Sequence, residues 1–168
     1  MVSKNIIFCS EEETVRNTHD LCTITGANAN MKNTQKEINE LSYQIIGCAI
    51  EVHRHLGPGL LESIYEKCFL KELQIRNLSY KNQEWFAIVY KGEHFKAGLK
   101  LDVLVEDTIL VELKSVETLL AVHEAQLLTY MKLLEKPKGI LINFNCTNIF
   151  REGQKTLVNH LFGMLPFC

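Results

Sequence analysis

Apolar residues at Ile38, Leu41, Ile45, Cys48, Ala49, Val52 and Leu56 recur at three- and four-residue steps, which places one hydrophobic stripe on a long amphipathic helix. Thr34 followed by Glu37 is a capping-box pair at its start, and Gly57-Pro58-Gly59 stops it. A second helix is expected from about Leu61 to Asn77, with Leu61, Ile64, Tyr65, Cys68, Phe69 and Leu73 on its apolar side. From Leu78 the period switches to two. Strands are expected over Trp85–Tyr90, Lys96–Val105 and Ile109–Val116, the first closed by a turn at Lys91-Gly92-Glu93 and the last two by Glu106-Asp107-Thr108. His123–Leu134 reads as a helix ended by Pro137, with Val122, Ala125, Leu128, Met131 and Leu134 as its apolar stripe. Gly139–Phe144 is a continuous apolar run suited to a strand buried on both faces, and Thr156–Phe162 reads as a terminal helix. The order α-α-β-β-β-α-β-α describes an α/β (α+β) domain with a central mixed sheet of four to five strands flanked by helices.

Residues 1–33 show neither period. Ser10–Asp20 is polar and acidic and Gly26–Asn30 is loop-like, so a poorly structured extension is expected there, with Met31 an alternative start, and one domain over residues 34–165. The 168 residues suit a single core, and 46% hydrophobic with 23% charged residues is ordinary globular composition. A formal charge of −2 excludes a histone-like binder that relies on global attraction to phosphate but leaves room for a local basic groove. No apolar run approaches the roughly 18 residues of a membrane span or forms a signal-peptide core, so no membrane partner is expected and a cytoplasmic location is. The six cysteines are scattered singly, without metal-ligand spacing, and Cys48 and Cys68 fall inside apolar patterns as small core residues.

The densest polar signal lies on the last hairpin. Glu112 and Lys114 point to one face of their strand and Leu113 to the other. A three-residue loop pairs Asp102 with Glu112 and puts both carboxylates on one face, whereas a two-residue loop pairs Asp102 with Val111 and separates them. The three-residue loop also gathers Leu101, Val103, Val105, Ile109, Val111 and Leu113 on one apolar face. Two adjacent carboxylates beside a lysine suit a hard cation, Mg²⁺ or Mn²⁺, with a point charge next to it. The same three residues could equally form a buried structural ion pair. On the following helix His123, Gln126 and Tyr130 share a face, which is either a solvated side or a row of site-ordering groups.

The segment Gly59-Leu-Leu-Glu62-Ser-Ile-Tyr65 and the blocks IIGCAIEVHRHLGPGLLESIY, LDVLVEDTILVELKSVE and HEAQLLTYMKLL, taken in order, resemble the GxxExxY proteins, a compact branch of the PD-(D/E)xK nuclease superfamily with a restriction-endonuclease-like core. The resemblance covers roughly residues 33–158. It implies that Asp102 and Glu112 ligate a metal together with the Leu113 carbonyl, that Lys114 serves the attacking water, and that Glu62 is a further ligand or water-bridged partner. It also implies that Gln126 and Tyr130 contact the nucleic acid or order the site. Where related sequences carry an Arg two residues before the motif Asp, this chain has Lys100, a point charge in place of a bidentate fork. Tyr65 lies one turn from Glu62 within the apolar stripe and is expected to pack with a tethered hydroxyl. The resulting expectation is a Mg²⁺-dependent nuclease, with DNA favoured over RNA as substrate and a homodimer or partner protein supplying further surface. The rival expectation is a non-catalytic nucleic-acid- or protein-binding regulatory module on the same fold.

Overall fold

The structure is a computed structural model and describes residues 34–168; the extension expected over residues 1–33 lies outside them. Helix α1 (Gln35–Leu56) begins as its sequence dictates: the Glu37 N–H donates to the Thr34 hydroxyl and the Thr34 N–H to the Glu37 carboxylate, both at 3.2 Å. Its stripe is buried from Ile38 to Val52. At the Gly57-Pro58-Gly59 corner both glycines adopt positive φ, +67° and +97°, a region open to glycine and costly for other residues. Helix α2 (Glu62–Ile75) follows and buries Tyr65, Phe69 and Leu73 at four-residue steps, while Leu61 and Ile64 turn outward.

Strands β1 (Tyr80–Asn82), β4 (Val103–Val105), β5 (Ile109–Lys114), β6 (Lys138–Asn143) and β7 (Gln154–Val158) form one sheet in the order β1-β4-β5-β6-β7. Only β5 and β6 pair in parallel, joined by the crossover helix α3 (Ala121–Leu133). This is the mixed sheet flanked by helices that the sequence predicts. Strands β2 (Trp85–Tyr90) and β3 (Glu93–Lys100) form a separate two-stranded sheet. One core cluster lies between the sheet and α1/α2, and a second lies between the other sheet face, α3 and the base of the β2–β3 hairpin.

Four expectations need correction. The strand expected over Lys96–Val105 is broken at Leu101-Asp102, where the chain leaves β2 for β5 and β1. The Leu101 N–H donates to the Glu84 carbonyl and the Gln83 N–H to the Asp102 carbonyl, both at 3.0 Å, so the backbone stays paired through the break. Leu101 therefore packs in the second cluster with Leu104 and Leu110, and not on the Val103 face. Strand β1 is additional. The helix expected over Thr156–Phe162 is instead strand β7, followed by the short α4 (His160–Met164), whose Asn159 cap accepts from the Leu161 N–H. On α3 the buried residues are Leu127 and Met131, with Leu134 buried at its C-terminal cap, while Val122 and Leu128 are exposed. Gly139 of β6 explains this choice, because a Cβ there would sit within 3 Å of Met131 Sδ and Leu127 Cγ.

A candidate metal-dependent active site

The β4–β5 hairpin pairs Val103 with Val111, Leu104 with Leu110 and Val105 with Ile109. This is the register of the three-residue loop, in which Glu106 and Asp107 take left-handed φ of 50° and 49°. It sets Asp102 level with Glu112. The Asp102 carboxylate accepts from the Leu113 N–H at 2.9 Å, which fixes the side chain against β5 just where β4 begins. Lys114 Nζ donates to Glu112 at 2.7 Å and stands 4.0 Å from the same Asp102 oxygen. Glu112 is only 3% exposed, so its charge depends on these neighbours.

Helix α2 brings a third carboxylate. Glu62 is half-buried and feels Lys114, Asp102, His123 and the Ser115 backbone N–H, which places it over the same end of β5. It is joined by a residue the sequence reasoning missed. Glu66, one turn further along, accepts from the Gln83 side chain at 2.8 Å and is influenced by Asp102 and Lys100. The signal that could have found it is the i, i+4 spacing from Glu62 on a helix whose Tyr65 and Phe69 face inward. The α1–α2 corner is held by Tyr65, which is fully buried: its hydroxyl donates to the Gly57 carbonyl at 2.6 Å and accepts from the Leu60 N–H at 3.1 Å. Its ring stacks on Phe144 with centroids 4.4 Å apart. The opposite wall is tied by Ser115, whose hydroxyl donates to the Leu60 carbonyl at 2.7 Å.

The electrostatics follow from this crowding. Burial raises the Glu112 carboxyl above the usual carboxylate range; Asp102 and Glu62 add to the rise and Lys114 opposes it. Burial likewise raises Glu62, with Lys114 opposing and Asp102 adding, and raises Glu66, with Asp102 adding and Gln83, Asn82 and Lys100 opposing. Burial alone would lower the Lys114 ammonium, but Glu112, Asp102 and Glu62 outweigh it and raise it. Several mutually repelling carboxylates thus share one ammonium.

The remaining predicted residues are nearby to different degrees. His123 favours the ionised form of Glu62, and its Nδ1 accepts from the Leu120 N–H at 3.2 Å at the start of α3. Gln126 donates to the Tyr130 hydroxyl at 2.9 Å within α3; among the described residues this pair makes no hydrogen bond to the carboxylates. Both are half-buried, with Tyr130 against the second core cluster, so the row is not simply a solvated side. Lys100 is exposed beside Glu66.

Hard oxygen donors in surplus over one cation are the donor chemistry of a divalent-ion site, and Asp102, Glu112 and the Leu113 carbonyl are the groups suited to it. Among the described residues no three His, Cys, Asp or Glu side chains converge closely enough to hold an ion as they stand. Glu112 would therefore exchange part of its bond to Lys114 for the ion.

The family model of the PD-(D/E)XK nuclease superfamily matches residues 39–156, which spans α1 to β7 and includes every residue of the site. The chain belongs to that superfamily. No curated protein and no solved structure matches it. Among the described residues no helix is long and apolar enough to cross a membrane.

Proposed function

We propose that residues 34–165 form a nuclease domain of the GxxExxY branch that hydrolyses DNA phosphodiesters with Mg²⁺ or Mn²⁺. The observation that carries this reading is the hairpin register that sets Asp102 level with Glu112 and lays Lys114 between them, beneath Glu62. In this reading Asp102, Glu112 and the Leu113 carbonyl hold the ion, with Glu62 as a direct or water-bridged partner. A bound divalent ion polarises a phosphate oxygen and eases ionisation of a water. Lys114 is anchored by Glu112 and offers its remaining N–H donors to that water or to the phosphate. Glu62 and Glu66 close the helical side. Tyr65 keeps the corner that carries them, and Gln126, Tyr130 and His123 order the side next to α3. The water oxygen bonds to phosphorus as the bond to the leaving sugar oxygen breaks; solvent takes up the water's proton and returns one to the leaving sugar oxygen, which departs as the alcohol.

The 2.7 Å bond between Lys114 and Glu112 also favours a second reading, a binding or regulatory module that keeps the ion pair without catalysis. Incubating the full chain with single- and double-stranded DNA and RNA at low salt, across a Mg²⁺ and Mn²⁺ titration, separates the two. The nuclease reading expects metal-dependent cleavage, DNA before RNA, abolished by Lys114→Ala. Absence of such cleavage leaves the module reading. A homodimer or partner protein fits the small size of the domain, and sedimentation with and without DNA tests it.

A further inference from the structure

The base of the β2–β3 hairpin carries an exposed aromatic beside the site that the nuclease chemistry does not use. Trp85, the chain's only tryptophan, is 49% exposed. Its strand neighbour Phe86 is 1% exposed and anchors the hairpin in the second core cluster, so alternation along β2 turns Trp85 outward. Gly98 on β3 tightens this anchor: its backbone lies so close to the Phe86 carbonyl that a side chain there would collide with it. Trp85 pairs with Lys100 across the hairpin, and the Lys100 ammonium lies 5.9 Å from the indole centroid.

The position is fixed relative to the carboxylates. Gln83, two residues before Trp85, holds Glu66 through its side chain and the Asp102 carbonyl through its backbone N–H. Lys100 precedes Asp102 by two residues. The local charge also differs from that of the whole chain: residues 80–100 hold four lysines against two glutamates, while the chain is at −2. A flat, outward π-face with a cation over it, in a locally basic segment at the edge of a carboxylate site, matches the way proteins take up unpaired bases. Bases within a duplex are stacked on each other and offer no free face.

We propose that Trp85 is a stacking platform for an unpaired base, with Lys100 on the adjoining phosphate, so that the site receives a single-stranded segment. This rests on the nuclease reading in taking nucleic acid as the partner, but it is tested by binding in chelator, where no metal-dependent cleavage occurs. The probe is a short oligothymidylate titrated into the full chain in EDTA at low salt, read by tryptophan emission and by anisotropy of a labelled copy. Stacking is expected to quench the single tryptophan. Trp85→Ala is expected to weaken binding about tenfold and Trp85→Tyr to restore most of it, with thermal melts showing that both variants stay folded. A duplex of equal length is expected to bind more weakly and to leave the emission largely unchanged. Failure to bind, binding without quenching, an unchanged affinity in Trp85→Ala, or equal quenching by duplex would each overturn the proposal. If cleavage with metal fails while quenching holds, the nuclease reading falls and the stacking site stands; the converse result removes only the stacking site.

Discussion

Replacing Lys114 by methionine keeps the stem's bulk and removes the charge, which separates the metal-site account from a purely structural ion pair. In the protein Lys114 and Glu112 are 2.7 Å apart, with side-chain exposures of 15% and 4%, so solvent screens the pair little. Removing one partner of such a pair costs about 3 to 5 kcal/mol. The lower end applies, because Glu112 is already raised by burial and by Asp102 and can take up a proton in place of its partner. For a domain of this size about 3 kcal/mol corresponds to a fall in Tm of roughly 10 °C. Raised carboxyls bind protons more tightly in the folded chain than in the unfolded one, so their destabilising charge is relieved as pH falls through the folded value; the variant should recover stability as pH falls from neutral toward the usual carboxylate range. Divalent ion supplies the same relief at neutral pH: at ten times its dissociation constant it stabilises by about 1.4 kcal/mol. Because the ion competes with Lys114 only in the native sequence, the Mg²⁺-dependent rise in Tm should be larger in Lys114→Met. Thermal melts by circular dichroism, with and without Mg²⁺, give all of these quantities. A variant within 1 kcal/mol of the native chain, or the same Mg²⁺ shift in both, would refute the reasoning.

Three further outcomes follow from residues outside the carboxylates. Lys138 is 4% exposed and relies on a 2.6 Å hydrogen bond to the Asn39 side chain and on the Phe162 ring, and burial lowers its ammonium below the usual range. Its charge therefore destabilises the fold below the folded value and ceases to as pH rises through it; Lys138→Met should raise stability by about 1 kcal/mol at neutral pH and flatten the gain of the native chain toward pH 10, read by denaturant midpoints. Tyr65→Phe removes the hydroxyl that links Gly57 and Leu60 while keeping the stack on Phe144, and should cost about 1 to 2 kcal/mol in the same assay. Gly98→Ala forces the β2–β3 backbones apart at Phe86, and should speed amide hydrogen exchange in that hairpin by tenfold or more, about 1.4 kcal/mol of lost local stability, with α1 unchanged.

Where the apolar period had one solution, the sequence was legible. The Thr34–Glu37 box and the stripe behind it define α1 because both local chemistry and period agree. The hairpin register is favoured by sorting the apolar residues onto one face, which the two-residue loop does not do; Val103, Val105, Ile109, Val111 and Leu113 share that face, and Leu101 of the expected set does not. The break at Leu101 was not legible, since residues 96–105 alternate well enough for one strand and a change of partner leaves no mark on the pattern. On α3 the expected stripe through Val122 and Leu128 fits helical spacing, and what turns Leu127 inward instead is the space left by Gly139 on the next strand, β6, which the pattern of the helix does not show. Strand β7 lies at the edge of its sheet with no fully buried residue, so Gln154–Val158 carries no strong strand period. In the site, Glu112 and Lys114 share a face by alternation alone, whereas Asp102 joins them only once the hairpin register is set. For Glu66 the sequence offers only its spacing from Glu62, because its contacts depend on where Gln83 and Lys100 fold.

The most direct test of the central claim is the rate of Mg²⁺- or Mn²⁺-dependent DNA cleavage by the full chain against that of Glu112→Gln, a near-isosteric change that keeps an acceptor for Lys114. The account predicts cleavage by the native chain that stops on chelation and falls by at least 100-fold in the variant, whose Tm without metal falls by less than that of Lys114→Met because the amide still accepts from Lys114 and Asp102 and Glu62 remain near its ammonium. Cleavage that persists in Glu112→Gln, or in chelator, would contradict it.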